Sequence, residues 1–463
     1  MTRSIVSPST AVPTQRNRRL LLTLPAAAAL PSLLSACGGG ADLSYDTEQA
    51  LYFVGEAITP NKPEPAPPNP PPPGHTAPKF TVFPPLPAGL TLNAQTGVIS
   101  GTPTKLKRQG THLVVATNNK GFADTQVRIT VTGRGAWVPV ATVPDARQAA
   151  CISPLPGGKF LVAGGLAGGG WNGATDSAEI YDAASATWRS AAPMLNRRDT
   201  PVSVTLRNGR VMVMGGYGYD FQSRATELYD PVADTWAATG SMNVSRNFFT
   251  AHLLPSGKVL VVGGLNMTSG AYDPLSTAEV YDPITGVWTL LPTPLSAPRV
   301  GHAAALLPDG KTLLVAGGAD ITSAELYKVD GSATKVIPYG VQGQAHQAVK
   351  LDDGSVLVVS SGSDQSKRFN PANSSWTTSA LLGGGRNFPT VTVLADGRVL
   401  MAGGSVSNTA EVYNPDVNRW SAAAPMAAAR QWAVATLLAD GSVLMVSGGG
   451  DEGLVDASER YIP

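Results

Sequence analysis

From Gly135 to Pro463 the chain repeats itself, and an internal repeat constrains a fold before any other feature does. Apolar runs end in a glycine pair at Gly164-Gly165, Gly215-Gly216, Gly263-Gly264, Gly317-Gly318, Gly403-Gly404 and Gly448-Gly449, with a degenerate Ser361-Gly362 in the gap. The seven units are spaced by roughly 41 to 54 residues. Each is followed by a short run centred on an aromatic residue: Tyr181, Tyr229, Tyr281, Tyr327, Phe369, Tyr413 and Tyr461. Just beyond stand Trp188, Trp236, Trp288, Trp376 and Trp420, with Ile337 in the fourth unit. The seventh unit stops before any tryptophan, and the missing piece occurs at the start of the region as Gly135-Ala136-Trp137-Val138-Pro139-Val140.

Glycine pair, tyrosine and tryptophan in this order resemble the kelch repeat. The resemblance covers residues 134 to 463 and implies a seven-bladed β-propeller of four-stranded antiparallel meanders. Turns that favour hairpins fit the first hairpin of a blade: Asn208-Gly209, Asp309-Gly310, Asp353-Gly354, Asp396-Gly397 and Asp440-Gly441. Residues 135 to 141 are expected to pair into the last blade and close the ring, which removes two exposed sheet edges. Cys151, among Ala149, Ala150 and Ile152, reads as a small buried hydrophobe.

The first 37 residues read as an address. Arg3, Arg16, Arg18 and Arg19 precede an uncharged apolar stretch from Leu20 to Ala36, the pattern of a secretory signal. Leu34-Ser35-Ala36-Cys37-Gly38 resembles the bacterial lipobox, which implies lipidation of Cys37, and glycine after the cysteine implies an outer-membrane lipoprotein. Export by general secretion is expected; Arg18-Arg19 also resembles a twin-arginine signal, the alternative route. Gly38-Gly39-Gly40 is a spacer.

Residues 41 to 133 carry strand-like runs at Phe80–Phe83, His112–Ala116 and Val127–Val131. Between them Pro87-Ala88-Gly89-Leu90-Thr91-Leu92 and Thr96-Gly97-Val98-Ile99-Ser100-Gly101-Thr102-Pro103 resemble the immunoglobulin-like, in part cadherin-like, domain of bacterial surface proteins. That resemblance implies a small antiparallel sandwich. The eight prolines between Pro63 and Pro73 suit an exposed loop, within residues 60 to 74, rather than a sheet. Asn118, Asn119 and Asp124 are the sole cluster that could suggest calcium, and a polar turn accounts for them.

The fold class expected is thus all-β: a seven-bladed kelch propeller preceded by an immunoglobulin-like sandwich. With Lys+Arg 34 against Asp+Glu 33, nothing drives phosphate binding, and nucleic acid is not an expected ligand. The blade connections bring an arginine in register to the start of each first strand: Arg147, Arg198, Arg246, Arg299, Arg386 and Arg430, with Gly343 at the odd position. The loops between second and third strands open on the same face and hold Trp171, Tyr217, Tyr219, Phe221 and Tyr272; His302 follows Arg299 in the kelch R-x-x-H spacing. Guanidinium forks beside aromatic rings suit carboxylates, glycans or acidic peptides. A structural role, tying blades through backbone carbonyls, is open to the arginines too.

Galactose oxidase-like enzymes share the kelch ring and hold copper with tyrosines and histidines. Their Tyr-His dipeptide is absent here, and the registers of His252, His302 and His346 differ. No nucleophile elbow, phosphate loop or H-E-x-x-H motif occurs. The expectation is a monomeric, non-enzymatic binding or scaffold protein of the bacterial cell envelope, held to the membrane by its lipid alone. It needs no cofactor, and its partner is a glycan, an anionic small molecule or a protein. The alternatives are a propeller enzyme at the channel mouth, a kelch-type oxidase or a sugar-acid epimerase or mutarotase, with copper in the propeller, and calcium in the sandwich.

Overall fold

Seven short apolar runs without polar interruption set the architecture of the larger unit. In six of them, Val211–Met214, Val259–Val262, Thr312–Ala316, Val356–Val359, Val399–Ala402 and Val443–Val446, every residue is buried. A strand that is apolar at odd and even positions must be covered on both faces. It is covered by like sheets on either side. The computed structural model describes residues 43–133, 135–168, 173–218, 224–267, 272–343, 346–381 and 383–463. The chain divides into two compact units, meeting between Thr130 and Val131. Cys37 with its flanking signal, the glycine spacer, Trp171, Tyr219 and Phe221 lie outside the described residues.

In the second unit the described residues form seven four-stranded antiparallel sheets. Blade one consists of Cys151–Leu155, Lys159–Ala163, Ala178–Asp182 and Thr187–Ser190 in spatial order. Blade seven consists of Val434–Leu437, Val443–Val446, Ser458–Ile462 and, as its outermost strand, Ala136–Val140. The start of the repeat region therefore completes its end. Trp137 faces Tyr461 across that pairing with ring centroids 5.2 Å apart, as Trp188 faces Tyr181 at 5.0 Å within blade one. The Trp137 indole N–H donates to Ala424 O at 2.8 Å.

Seven hydrophobic clusters lie one between each adjacent pair of blades. In blade two, Val211 and Val213 pack with Leu161 and Ile180 of blade one, while Met212 and Met214 pack with Val259 and Val261 of blade three. The two-residue period of a strand sends alternate side chains into opposite wedges. The last wedge joins Leu444 and Val446 of blade seven to Phe160 and Val162 of blade one, so the circuit closes.

The glycine pairs sit where blades crowd together. Gly164 and Gly165 have φ of +65° and +100°, and a Cβ would lie 2.8 Å from Arg198 O at the first and 2.6 Å from Gln148 O at the second. Two blades depart from the sequence register. In blade seven the left-handed pair is Ser447 and Gly448 (φ 52° and 117°) rather than Gly448-Gly449, and in blade five Ser360-Ser361 follow the second strand. At the blade-seven turn Gly448 N–H donates to Arg147 O at 2.9 Å.

In the first unit one four-stranded sheet contains Gln49–Phe53, Gly121–Thr132, Lys107–Asn118 and Lys79–Phe83 in spatial order, with two two-stranded pairs beside it. All three strand-like runs read from the sequence fall inside these strands. The proline-rich segment departs from a pure loop at its start, where Pro63 and Glu64 pair with Tyr45 and Ser44. Proline is tolerated there because the strand is two residues long and at an edge.

Candidate functional site

The six register arginines do not line an open mouth. Their exposure is 0 to 5%, and each donates to a glutamate on the third strand of its own blade. The pairs are Arg147–Glu179 at 2.5 Å, Arg198–Glu227 at 2.6 Å, Arg246–Glu279 at 2.8 Å, Arg299–Glu325 at 2.7 Å, Arg386–Glu411 at 2.6 Å and Arg430–Glu459 at 2.5 Å. The same guanidinium groups bond the carbonyl that ends the second strand, as Arg246 does to Gly263 O at 2.8 Å. The glutamates in turn accept amides from the blade connection: Glu279 takes Asn243 N at 2.7 Å and Val244 N at 3.0 Å. Burial favours the neutral acid and pushes Glu179 up to about 7 against the Arg147 charge, whereas the Ser296 amide and the Arg299 guanidinium hold Glu325 below its ordinary value. The expectation that these arginines recognise a ligand is therefore corrected. Desolvated and internally neutralised, they lock each connection to its blade. Blade five lacks both members, with Gly343 for the arginine and Lys367 for the glutamate.

The open site is made one and two residues further along. Two positions past the arginine, Ala149, Thr200, Phe248, Gly301, Phe388 and Trp432 all adopt positive φ between 42° and 61°. Their backbones bond from blade to blade: Ala149 N–H to Trp432 O at 2.8 Å, Thr200 N–H to Ala149 O at 3.0 Å, Gly301 N–H to Phe248 O at 3.0 Å. Left-handed aromatic residues are uncommon and cost on the order of 1–3 kcal/mol each, the kind of strain that clusters at functional sites. The turn brings their side chains to the axis. Phe388 and Trp432 stack at 3.6 Å between centroids, and Phe248 lies 6.1 Å from Trp432.

Phe248 and Trp432 bound a cavity of about 260 Å³ with Gln148, Ala149, Leu166, Asp199 and Thr200. A second cavity of about 270 Å³ shares Thr200, Phe248 and Trp432 with it and extends to His302, His346 and Gln347. Asp199 is 1% exposed. Its Oδ1 accepts the Tyr217 amide at 3.0 Å and shares the Thr200 hydroxyl, at 3.1 Å, with Asn247 Oδ1 at 2.5 Å. Burial pushes Asp199 up to about 6, against the pull of the Thr200 hydroxyl and the Tyr217 amide. Burial, the Asp199 charge and Tyr272 together raise the Tyr217 phenol. Of the loop aromatics anticipated from the sequence, Tyr217 is thus placed beside the mouth, and Tyr272 is exposed.

His302 lies deeper, 2% exposed, with Nε2 3.1 Å from Thr250 Oγ1. Burial and then the Arg299 charge lower it to about 3. It is a channel-wall residue in its neutral form, not a surface ligand group. Phe248, Phe388, Trp432 and Asp199 were missed by sequence reasoning. A usable signal lay beside the arginines: those recur in six of the seven units, whereas the next two positions vary in a way packing does not require.

Copper, which the resemblance to galactose oxidase-like enzymes raises, does not fit the described residues. His346 has both ring nitrogens engaged, Nε2 donating to Gly343 O at 2.9 Å and Nδ1 accepting from Ser360 Oγ at 2.7 Å. Cys151 is buried, its thiol raised by desolvation. Among the described residues no three histidine, cysteine or acidic side chains converge on a point that could hold a metal ion.

Comparison with known proteins agrees with this architecture. The family described as "Putative Ig domain" matches residues 47–133, and the kelch motif matches residues 155–195 and 252–295. A novel fungal alcohol oxidase of the AA5 family, solved in complex with copper, is similar at a TM-score of 0.59 with 19% identity, over 71% of this chain and 76% of that one. The structure of YjhT is similar at a TM-score of 0.44 with 12% identity, over 70% of this chain and 95% of that one. Comparison with curated protein sequences gives no match. The chain is an all-β protein with kelch motifs and an Ig-like domain.

Proposed function

We propose that this kelch propeller is the binding head of a cell-envelope protein anchored to the membrane through lipidated Cys37, and that it takes a small ligand at the axial mouth. One observation carries the reading. Phe248 and Trp432, equivalent residues of blades three and seven held in strained left-handed conformations, line one cavity beside Asp199 and Gln148, and Phe388 of blade six stacks on Trp432. Aromatic walls with a few convergent polar groups are the usual make-up of a small-molecule site. The inward glutamates and arginines supply rigidity, since six of the seven connections leading to the mouth are tied to their blades. Binding rather than catalysis is favoured by the mouth's polar groups, in which a carboxylate, an amide and a hydroxyl occur without a nucleophile-base pair.

The test is a thermal-shift screen of glycans, amines and organic acids on the folded chain, repeated on Trp432→Ala. Hits that vanish with Trp432→Ala support the mouth. Hits that persist unchanged would move the site elsewhere.

A further inference from the structure

Asp199 lines the cavity as a carboxylate with no counter-charge among the described residues. The nearest arginine in sequence, Arg198, directs its guanidinium to Glu227 and to Gly215 O at 2.9 Å. Asp199 Oδ1 receives its hydrogen bonds from Tyr217 and Thr200, while Oδ2 has no hydrogen-bond partner and the carboxylate no ion pair among the described residues. The groups facing it from neighbouring elements are uncharged in the folded protein: the phenol of Tyr217, which burial raises, the amides of Gln148 and Asn247, the hydroxyl of Thr200 and the rings of Phe248 and Trp432. A carboxylate withdrawn from water without a cation is costly. A ligand that brings the cation removes that cost.

From this geometry we infer that the axial mouth binds a small organic ammonium compound, its cation held between the Asp199 carboxylate and the faces of Trp432 and Phe248. Aromatic rings attract a desolvated ammonium through their quadrupole, and a carboxylate beside them adds direct charge complementarity. The roughly 260 Å³ available suits a compact head group rather than an extended chain. Anions, expected from the register arginines, are disfavoured here, because those arginines are spent on glutamates and the mouth carries the opposite charge. The acid's elevated value, about 6, fits a carboxylate awaiting a partner and makes recognition depend on pH. The inference rests on the mouth being a ligand site and names the class of ligand it takes.

Choline and its neutral isostere 3,3-dimethylbutan-1-ol, titrated calorimetrically into the folded chain at pH 8, separate charge from shape. Choline should bind at least roughly tenfold more tightly than the isostere. Asp199→Asn, which keeps the acceptor for Tyr217 and Thr200, should abolish that preference while the protein remains folded by its melting curve. Choline affinity should fall as pH drops through about 6 and the carboxylate takes a proton. Equal affinity for both probes, with loss of both in Trp432→Ala, would overturn the cation and leave the mouth standing. Choline binding unchanged in Asp199→Asn, or absent at millimolar choline, would also overturn it.

Discussion

Phe388 and Trp432 hold the same register position in adjacent blades, and their rings stack 3.6 Å apart at an interplanar angle of 19°. Blade geometry makes this contact: each residue enters its first strand in a left-handed turn, and the turn aims the side chain at the axis instead of into a wedge between sheets. Trp432 is only partly buried, so its truncation removes a wall of the mouth and little of the core. Trp432→Ala should lower ligand affinity at least roughly tenfold yet cost about 1 kcal/mol of stability, the worth of one aromatic pair. Calorimetric titration beside a melting curve checks both numbers. A collapse of the fold would assign the stack to structure alone.

Arg246 and Glu279 make the opposite case. Both are essentially inaccessible to water and 2.8 Å apart, and Glu279 also holds the Asn243 and Val244 amides. Arg246→Ala leaves a buried carboxylate without its partner and should cost about 3–5 kcal/mol. Denaturant unfolding reads this directly. A well-folded Arg246→Ala protein that had lost its ligand would return the arginines to the binding face.

Asp199 links the site to stability with a definite sign. Its folded value of about 6 lies above the ordinary carboxylate range, so the folded state holds its proton more tightly than the unfolded one does. Its ionisation therefore destabilises the fold progressively as pH rises from about 4 to about 6, and fully above that. Asp199→Asn should raise stability at pH 8 by up to about 3 kcal/mol and leave it unchanged near pH 3.5. Melting temperatures of both proteins across that range decide the matter. An equal shift at every pH would show that Asp199 is not the titrating group.

The propeller was legible because its physics is repeated: glycine pair, tyrosine and tryptophan each solve the same packing problem in successive blades, so each recurs. Ring closure was legible for the same reason, as the seventh unit stopped before its tryptophan strand and Trp137 was spare. The Arg–Glu staples were legible only in halves. Arg246 reads as a ligand group until the joint absence of arginine and glutamate from blade five, where Gly343 and Lys367 stand, is taken as one event. The mouth showed in the sequence only as variation at the two positions after each arginine. Phe248, Phe388 and Trp432 reach the axis by a backbone conformation that aromatic residues rarely adopt, and no propensity announces it.

Closure itself is open to test. Gly135 has φ of +69°, and a Cβ there would lie 2.3 Å from the Tyr461 ring. Gly135→Ala should destabilise the propeller by on the order of 1–3 kcal/mol. Deleting residues 134–141 should unpair Ser458–Ile462 and cause aggregation visible by light scattering. A deletion variant that stays monodisperse and melts unchanged would show that the strand is dispensable.

The anchor rests on Leu34-Ser35-Ala36-Cys37 in the sequence. Cys37→Ser should release the protein from the membrane fraction of a bacterial host. An intact mass for the mature wild-type protein with an unmodified amino terminus would refute lipidation.

The central claim is that ligand binds where the first strands begin. Hydrogen–deuterium exchange on the folded chain, with and without saturating ligand from the screen, maps this by segment. Protection should concentrate in 147–150, 198–201, 246–249, 386–389 and 430–433, with the turns at Asn208-Gly209, Asp396-Gly397 and Asp440-Gly441 unchanged. Protection confined to those turns, on the opposite face of the ring, would contradict it.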